Sequence, residues 1–351
     1  MFSSPVLTPP AVTARGVSWR LPRTLAPDGV RLDVDWLLGQ DPEFSATEDD
    51  WVYRLPRPAA RRLEYRLILR GSGMADPVPD PANPLRVSNP FGDRSEIRFP
   101  DYREPGWAAT DLTGEVQSIA LDPAGSGFGP AVPVALWSPA GLPEETAAPL
   151  LVAHDGTGLA TEADLLIWAS HHAARFGPLR VALLDPAPGC RDAWYAADPG
   201  YLDHLSAALL PALQDRVHTS AVAGLGISLG GLAMLAWHRR HPAALDGLCL
   251  QSGSFFTPDT DPQETGYPQF EQVCTAVAAI TTDAPVRRVP VLLTCGTIEE
   301  NLANNQAMAR ALAAQRYPLR FALSADAHTM TGWRDAWAPS LDDLLTRLRS
   351  G

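Results

Sequence analysis

Along the first hundred residues, apolar and polar positions alternate in short runs. Residues 16–21 (Gly-Val-Ser-Trp-Arg-Leu), 30–36, 51–55 and 63–69 place an apolar side chain at every second position, the period of a strand with one buried face. Turn-rich stretches such as Ala26-Pro27-Asp28-Gly29 separate them, and a further strand is expected over 96–99. Short strands with little helical periodicity predict a small β-sandwich over residues 16–105. Pro77, Pro79, Pro81 and Pro84 force extended or turn backbone between the last two strands. Residues 1–15, rich in Pro, Ser and Thr, are expected to lack order, and 106–115 to form a linker.

From residue 116 the pattern changes. Unbroken apolar runs at 132–137, 150–154, 181–185, 221–225, 248–250 and 291–295 suit strands buried on both faces. Helical periodicity fills the intervals at 162–176, 199–217, 231–241 and 301–315. Residues 116–351 are therefore expected to be an α/β domain with a doubly wound, mostly parallel sheet.

Composition narrows the function classes. The net charge is −12 and all 28 basic residues are arginine, which gives no basic footprint for nucleic acid or an anionic membrane. No apolar run approaches the ~20 residues of a membrane span. Residues 1–15 lack the charged and apolar regions of a signal peptide, and Cys190, Cys249, Cys274 and Cys295 are scattered. A reduced, cytoplasmic protein without cofactor or bound metal is expected; the oligomeric state stays open.

The chemistry is concentrated at one turn, Gly226-Ile227-Ser228-Leu229-Gly230-Gly231, after an apolar strand and before an apolar helix. That order is the Gly-x-Ser-x-Gly elbow of an α/β-hydrolase, in which a strained serine sits at the helix N-terminus. Serine needs a base and the base an orienting carboxylate, which in this fold follow in the order acid, then histidine. His238 and His241 lie on the helix after the elbow and are expected on or near its solvent face; His328, in a loop after residues 319–323, is the base candidate. Glu299 in Gly296-Thr297-Ile298-Glu299-Glu300 is the acid candidate, with Glu300 the alternative. Oxyanion donors are expected from the amides of Leu229 and of Thr157 in Asp155-Gly156-Thr157-Gly158. His154 and Asp155 are read as shaping that loop.

Together these features resemble the enterochelin esterase family, over nearly the whole chain. The N-terminal matches are Trp51-Val52-Tyr53-Arg54, Asp80-Pro81-Ala82-Asn83-Pro84, Asn89-Pro90-Phe91-Gly92, Ser95-Glu96 and the run from Pro100 to Trp107. The C-terminal matches are Asp155-Gly156, the Ser228 elbow, Gly296-Thr297-Ile298-Glu299, and His328 followed by Trp333-Arg334. The resemblance implies an immunoglobulin-like sandwich before the α/β-hydrolase domain, with Ser228, Glu299 and His328 as triad. It implies cleavage of the trilactone of a ferric or free catecholate siderophore such as enterobactin. Arg191 matches the family's arginine after the third strand; with Arg334 it is a candidate for the anionic substrate, the alternative being pairing with nearby carboxylates. Trp194 and Trp333 are candidates for stacking on catechol rings, or else packing anchors. The sequence departs from the family's Gly-Gly-His-Asp at Asp326-Ala327-His328-Thr329, and Trp194-Tyr195 stand where Glu-Leu is common. A general carboxylesterase, for feruloyl or acetyl groups, is the alternative enzyme; an inert hydrolase domain serving as a scaffold is the alternative outside enzymes.

Overall fold

The alternating stretches near the N-terminus are strands in the computed structural model, which describes residues 7–36, 38–71, 76–89, 92–119, 129 and 131–349. Residues 1–6, within the terminus expected to lack order, and Pro90 and Phe91 lie outside that set. Strands β1 (Ala11–Thr13), β2 (Gly16–Pro22), β3 (Gly29–Asp33), β4 (Ser45–Ala46), β5 (Asp50–Pro56), β6 (Arg62–Arg70), β7 (Arg86–Val87) and β8 (Arg94–Arg98) form two four-stranded sheets, ordered β1-β2-β5-β4 and β3-β6-β8-β7. Every pairing in them is antiparallel. Val17, Trp19 and Leu21 share one core with Tyr53, Leu63, Tyr65, Leu67 and Ile97, as the period of two requires. Trp19 lies opposite Tyr53 within its sheet and meets Tyr65 of the other sheet edge-on at 5.3 Å. Order also reaches into the stretch expected to lack it: Ala11–Thr13 pair with Gly16–Ser18, because an unpaired strand edge offers hydrogen bonds that composition does not encode.

The chain divides into two compact units, and the sandwich unit is not one continuous stretch. Besides Met1–Glu104 it includes Gly296–Glu300 and Ser324–Gly332, which contribute Ile298 and Ala327 to the sandwich core. The first break between the units falls between Glu104 and Pro105; the two later segments of the sandwich unit have no counterpart in the sequence expectation. Within the expected linker, Gly106–Ala109 form a 3-10 turn whose buried Trp107 stacks on Trp337 at 6.0 Å.

The other unit is built on β9 (Glu115–Ile119), β10 (Val134–Ser138), β11 (Ala148–His154), β12 (Arg180–Leu184), β13 (Thr219–Ile227), β14 (Gly247–Gln251), β15 (Val291–Gly296) and β16 (Leu319–Ser324). They form an eight-stranded sheet in the order β16-β15-β14-β13-β11-β12-β10-β9. Strands β12, β11, β13, β14 and β15 run parallel, whereas β9 and β10 pair antiparallel. The connections carry α1 (Gly156–Glu162), α2 (Leu165–Phe176), α3 (Arg191–Tyr195), α4 (Pro199–His204), α5 (Leu210–Arg216), α6 (Leu229–Arg240), α7 (Phe270–Thr282) and α8 (Leu302–Ala314), while α9 (Met330–Asp335) and α10 (Ser340–Arg349) follow β16.

Two helices differ from the sequence reading. The helix expected over 162–176 begins only after Asp164, whose left-handed backbone (φ 55°) separates α1 from α2. The helix expected over 199–217 widens into a π turn at Leu205–Leu209 between α4 and α5, just before Pro211, which has no N–H to donate to a regular ladder. His238, expected near solvent, is 1% exposed: α6 packs on β13 and β14 and is covered by α3, α4 and α7. Among the described residues no helix is long and apolar enough to cross a membrane.

Candidate active site

Strand β13 ends at Ile227, α6 begins at Leu229, and Ser228 between them has φ 51° and ψ −125°. Such a backbone costs a non-glycine residue about 1–3 kcal/mol and persists only where its neighbours over-determine it. Here the Ser228 amide donates to the Gln251 carbonyl (2.9 Å), and its carbonyl accepts the amides of Gly231 and Ser254 (both 3.0 Å). Gly226 makes the turn possible, since a Cβ on it would lie 2.1 Å from the Gly230 carbonyl oxygen. Leu229 opens α6, so its amide has no acceptor within the helix.

Two residues missed in the sequence complete this elbow. Ser254 Oγ lies 3.3 Å from Ser228 Oγ. Asn305 grips Gly253, the residue before Ser254, accepting from its amide (3.0 Å) and donating to its carbonyl (2.8 Å). The available signal is Ser252-Gly253-Ser254 directly after a buried strand, the end at which ligands approach parallel sheets. His154 closes the elbow from behind. It is fully buried, its Nε2 accepts from Tyr201 Oη (3.0 Å), and burial pushes its pKa down to about 4. It is therefore a neutral support.

Thr157 is not placed as expected for an oxyanion donor. Its amide donates to Asp185 Oδ1 (3.1 Å) and its hydroxyl to Asp185 Oδ2, which commits the residue to fixing the start of α1.

In the other unit, the loops after β15 and β16 hold Glu299 and His328 together. Glu299 is 1% exposed; its Oε2 lies 2.5 Å from His328 Nδ1 and its Oε1 accepts the Gly296 amide. Glu300 is exposed to solvent. A carboxylate at Nδ1 requires the proton there and leaves the basic lone pair on Nε2. The two loops are tied by Thr297 N–H to Ser324 O (2.9 Å) and Ile298 N–H to Asp326 O (3.4 Å). Gly296 allows this closeness, because a Cβ there would come within 2.5 Å of the Asp326 carbonyl.

The four candidate substrate residues are all engaged by their own unit. Arg191 forms a bidentate pair with Asp155 (2.8 and 2.6 Å). Arg334 is held by Asp164 (3.3 Å) and Asp335 (2.8 Å). Trp194 is buried and stacks on Tyr201 at 5.0 Å. Trp333 is buried too, donating through Nε1 to Ser252 Oγ (2.9 Å), while its carbonyl accepts from Gln251 (3.0 Å). Both tryptophans are thus packed as anchors.

The family model described as "Putative esterase" matches residues 126–348. No curated protein matches the sequence. Among solved structures, the chain is similar to the enterochelin esterase of Shigella flexneri, with 17% identity over 99% of this chain and 97% of that one and a TM-score of 0.73. It is similar to the ferric enterobactin esterase of Salmonella typhimurium, with 17% identity, coverage of 95% and 93%, and a TM-score of 0.72. A ferulic acid esterase shares 18% identity over 67% of this chain and 99% of its own, with a TM-score of 0.53. At these identities the likeness is one of fold: an α/β-hydrolase domain combined with a small β domain.

Proposed function

The chain belongs to the esterase family and so hydrolyses esters, and we propose that it does so with Ser228 as nucleophile, His328 as base and Glu299 as orienting acid. In this reading His328 Nε2 takes the Ser228 hydroxyl proton as Oγ attacks the ester carbonyl. The Leu229 amide receives the developing oxyanion, an interaction typically worth about 3 kcal/mol in the transition state. His328 then protonates the leaving alkoxide, and later takes a proton from the water that hydrolyses the acyl-enzyme. Glu299 fixes the imidazole tautomer and stabilises the imidazolium without itself accepting the proton. The observation that carries this assignment is the 2.5 Å bond between the buried Glu299 and His328 Nδ1.

The substrate in this proposal is a catecholate siderophore trilactone, ferric or free, opened in the cytoplasm so that iron is released. What supports it is likeness to enterobactin esterases over 95–99% of the chain, against 67% for a ferulic acid esterase. A second reading, an esterase for simpler acyl groups, is favoured by the pairing of Arg191 and Arg334 with carboxylates and the burial of Trp194 and Trp333. The test is to incubate the protein and Ser228→Ala with free and iron-loaded enterobactin and resolve the products by mass. Linear trimer, dimer or monomer formed only with Ser228 intact is the expected result. Hydrolysis of p-nitrophenyl acetate without trilactone cleavage would reject the siderophore and favour the second reading.

A further inference from the structure

The face of β6 and β8 turned away from the sandwich core is where an antiparallel sheet ordinarily meets water. Arg62 and Glu64 lie on it, alternating with the core residues Leu63 and Tyr65, yet Arg62, Glu64 and Glu96 are 0%, 2% and 1% exposed. In register, Arg62 stands opposite Arg98 and Glu64 opposite Glu96, two like-charge pairings that would each be unfavourable alone. The arginine fork resolves them. Arg62 Nε donates to Glu96 Oε1 (2.8 Å) and Nη2 to Glu64 Oε1 (2.6 Å), while Arg98 Nε takes the other Glu96 oxygen (2.7 Å).

The remaining nitrogen reaches the histidine loop. Arg62 Nη1 donates to Asp326 Oδ2 and to Thr329 Oγ1, both at 3.2 Å. Those residues flank His328. The same loop is tied by Arg61 N–H to Ala325 O (2.8 Å), and the acid loop by Thr297 Oγ1 to the Ala59 carbonyl. Burying one arginine among three carboxylates adds little stability, since apolar residues of similar volume commonly serve as well. Its distinctive product is fixed direction: a planar fork that aligns three carboxylates at once, which lysine cannot do.

We propose that Arg62 is a positioning residue for the reaction, holding Asp326 and Thr329 so that the loop between them presents His328 to Glu299 in one orientation. The sandwich is then part of the catalytic apparatus rather than an accessory binding module. This rests on the proposed role of His328.

The test compares Arg62→Gln, Arg62→Lys, Asp326→Asn and Thr329→Val with the native protein and Ser228→Ala, using p-nitrophenyl acetate across pH and thermal unfolding to certify folding. Arg62→Gln and Asp326→Asn are expected to lower kcat by ~10- to 100-fold, the scale of a displacement of about 1 Å, with KM within about twofold. They should also displace the acidic limb of the kcat/KM profile, with Arg62→Lys intermediate. Folded variants that keep native kcat and an unmoved acidic limb would overturn the proposal. Should Arg62→Gln fail to fold, Asp326→Asn and Thr329→Val decide by the same readouts. Activity retained in Ser228→Ala would instead reject the triad, an outcome separable from Arg62 being dispensable.

Discussion

Glu299 divides its carboxylate between His328 and its own loop: Oε2 is 2.5 Å from His328 Nδ1, and Oε1 accepts the Gly296 amide. Glu299→Gln retains the shape but can offer its amide N–H to His328, favouring the wrong tautomer. With Glu299 as the proposed orienting acid, kcat is expected to fall by roughly 10³- to 10⁴-fold, the effect of a comparable change in a serine-protease triad. Glu300→Gln, at an exposed position, should stay within about twofold of native. Steady-state kinetics on a chromogenic ester, with circular dichroism to verify folding, separates the two.

Gly226→Ala has no room. Its methyl would lie 2.1 Å from the Gly230 carbonyl oxygen and 2.8 Å from the Gly231 amide, both backbone atoms that cannot rotate aside. A loss of more than about 3 kcal/mol in urea unfolding is expected, the scale of severe core overpacking. An active protein of native stability would show that the elbow is not built as described.

Ser254 touches the hydroxyl of Ser228 while its amide holds the Ser228 carbonyl. Ser254→Ala keeps the amide and loses only the hydroxyl, so kcat is expected to drop by about tenfold, one neutral hydrogen bond, with little change in melting temperature. Unchanged rates of fluorophosphonate labelling would remove Ser254 from the site.

Three buried groups give the stability profile a defined sign. Burial depresses His154 and His238 to about 4, so unfolding takes up a proton at each below pH ~6.5 and stability falls as pH drops toward 4. Asp326 has the opposite sign: burial lifts it to about 6 despite Arg62, so the folded state binds its proton first and gains stability as pH falls through that value. Between pH 7 and 5, Asp326→Asn should therefore lose about 1 kcal/mol more than the native protein in urea unfolding. A difference of zero would show that Asp326 keeps an ordinary carboxylate range.

Legibility follows the reach of each signal. Strand β2 is readable because Val17, Trp19 and Leu21 must share a face whatever packs on it. The elbow is readable because its steric demand falls on Gly226, whose Cβ would strike the backbone of Gly230 and Gly231, all within a few residues of Ser228. His238 is misjudged from sequence because a helix covered on both sides has no solvent face, and coverage is a property of the assembly. Thr157 looks like a free donor until Asp185, from the end of a neighbouring strand, takes its amide.

The sequence by itself determined the two grammars of the chain, the serine turn and the order in which Glu299 and His328 follow it. Each of these is set by neighbours along the backbone, where spacing is a physical distance. Only the tertiary structure decided that Glu299 rather than Glu300 turns inward to His328, and that Arg62 and Glu64 are buried. A period of two says which face a side chain occupies. What covers that face is decided by Asp326, 264 residues away in the chain and 3.2 Å away in space.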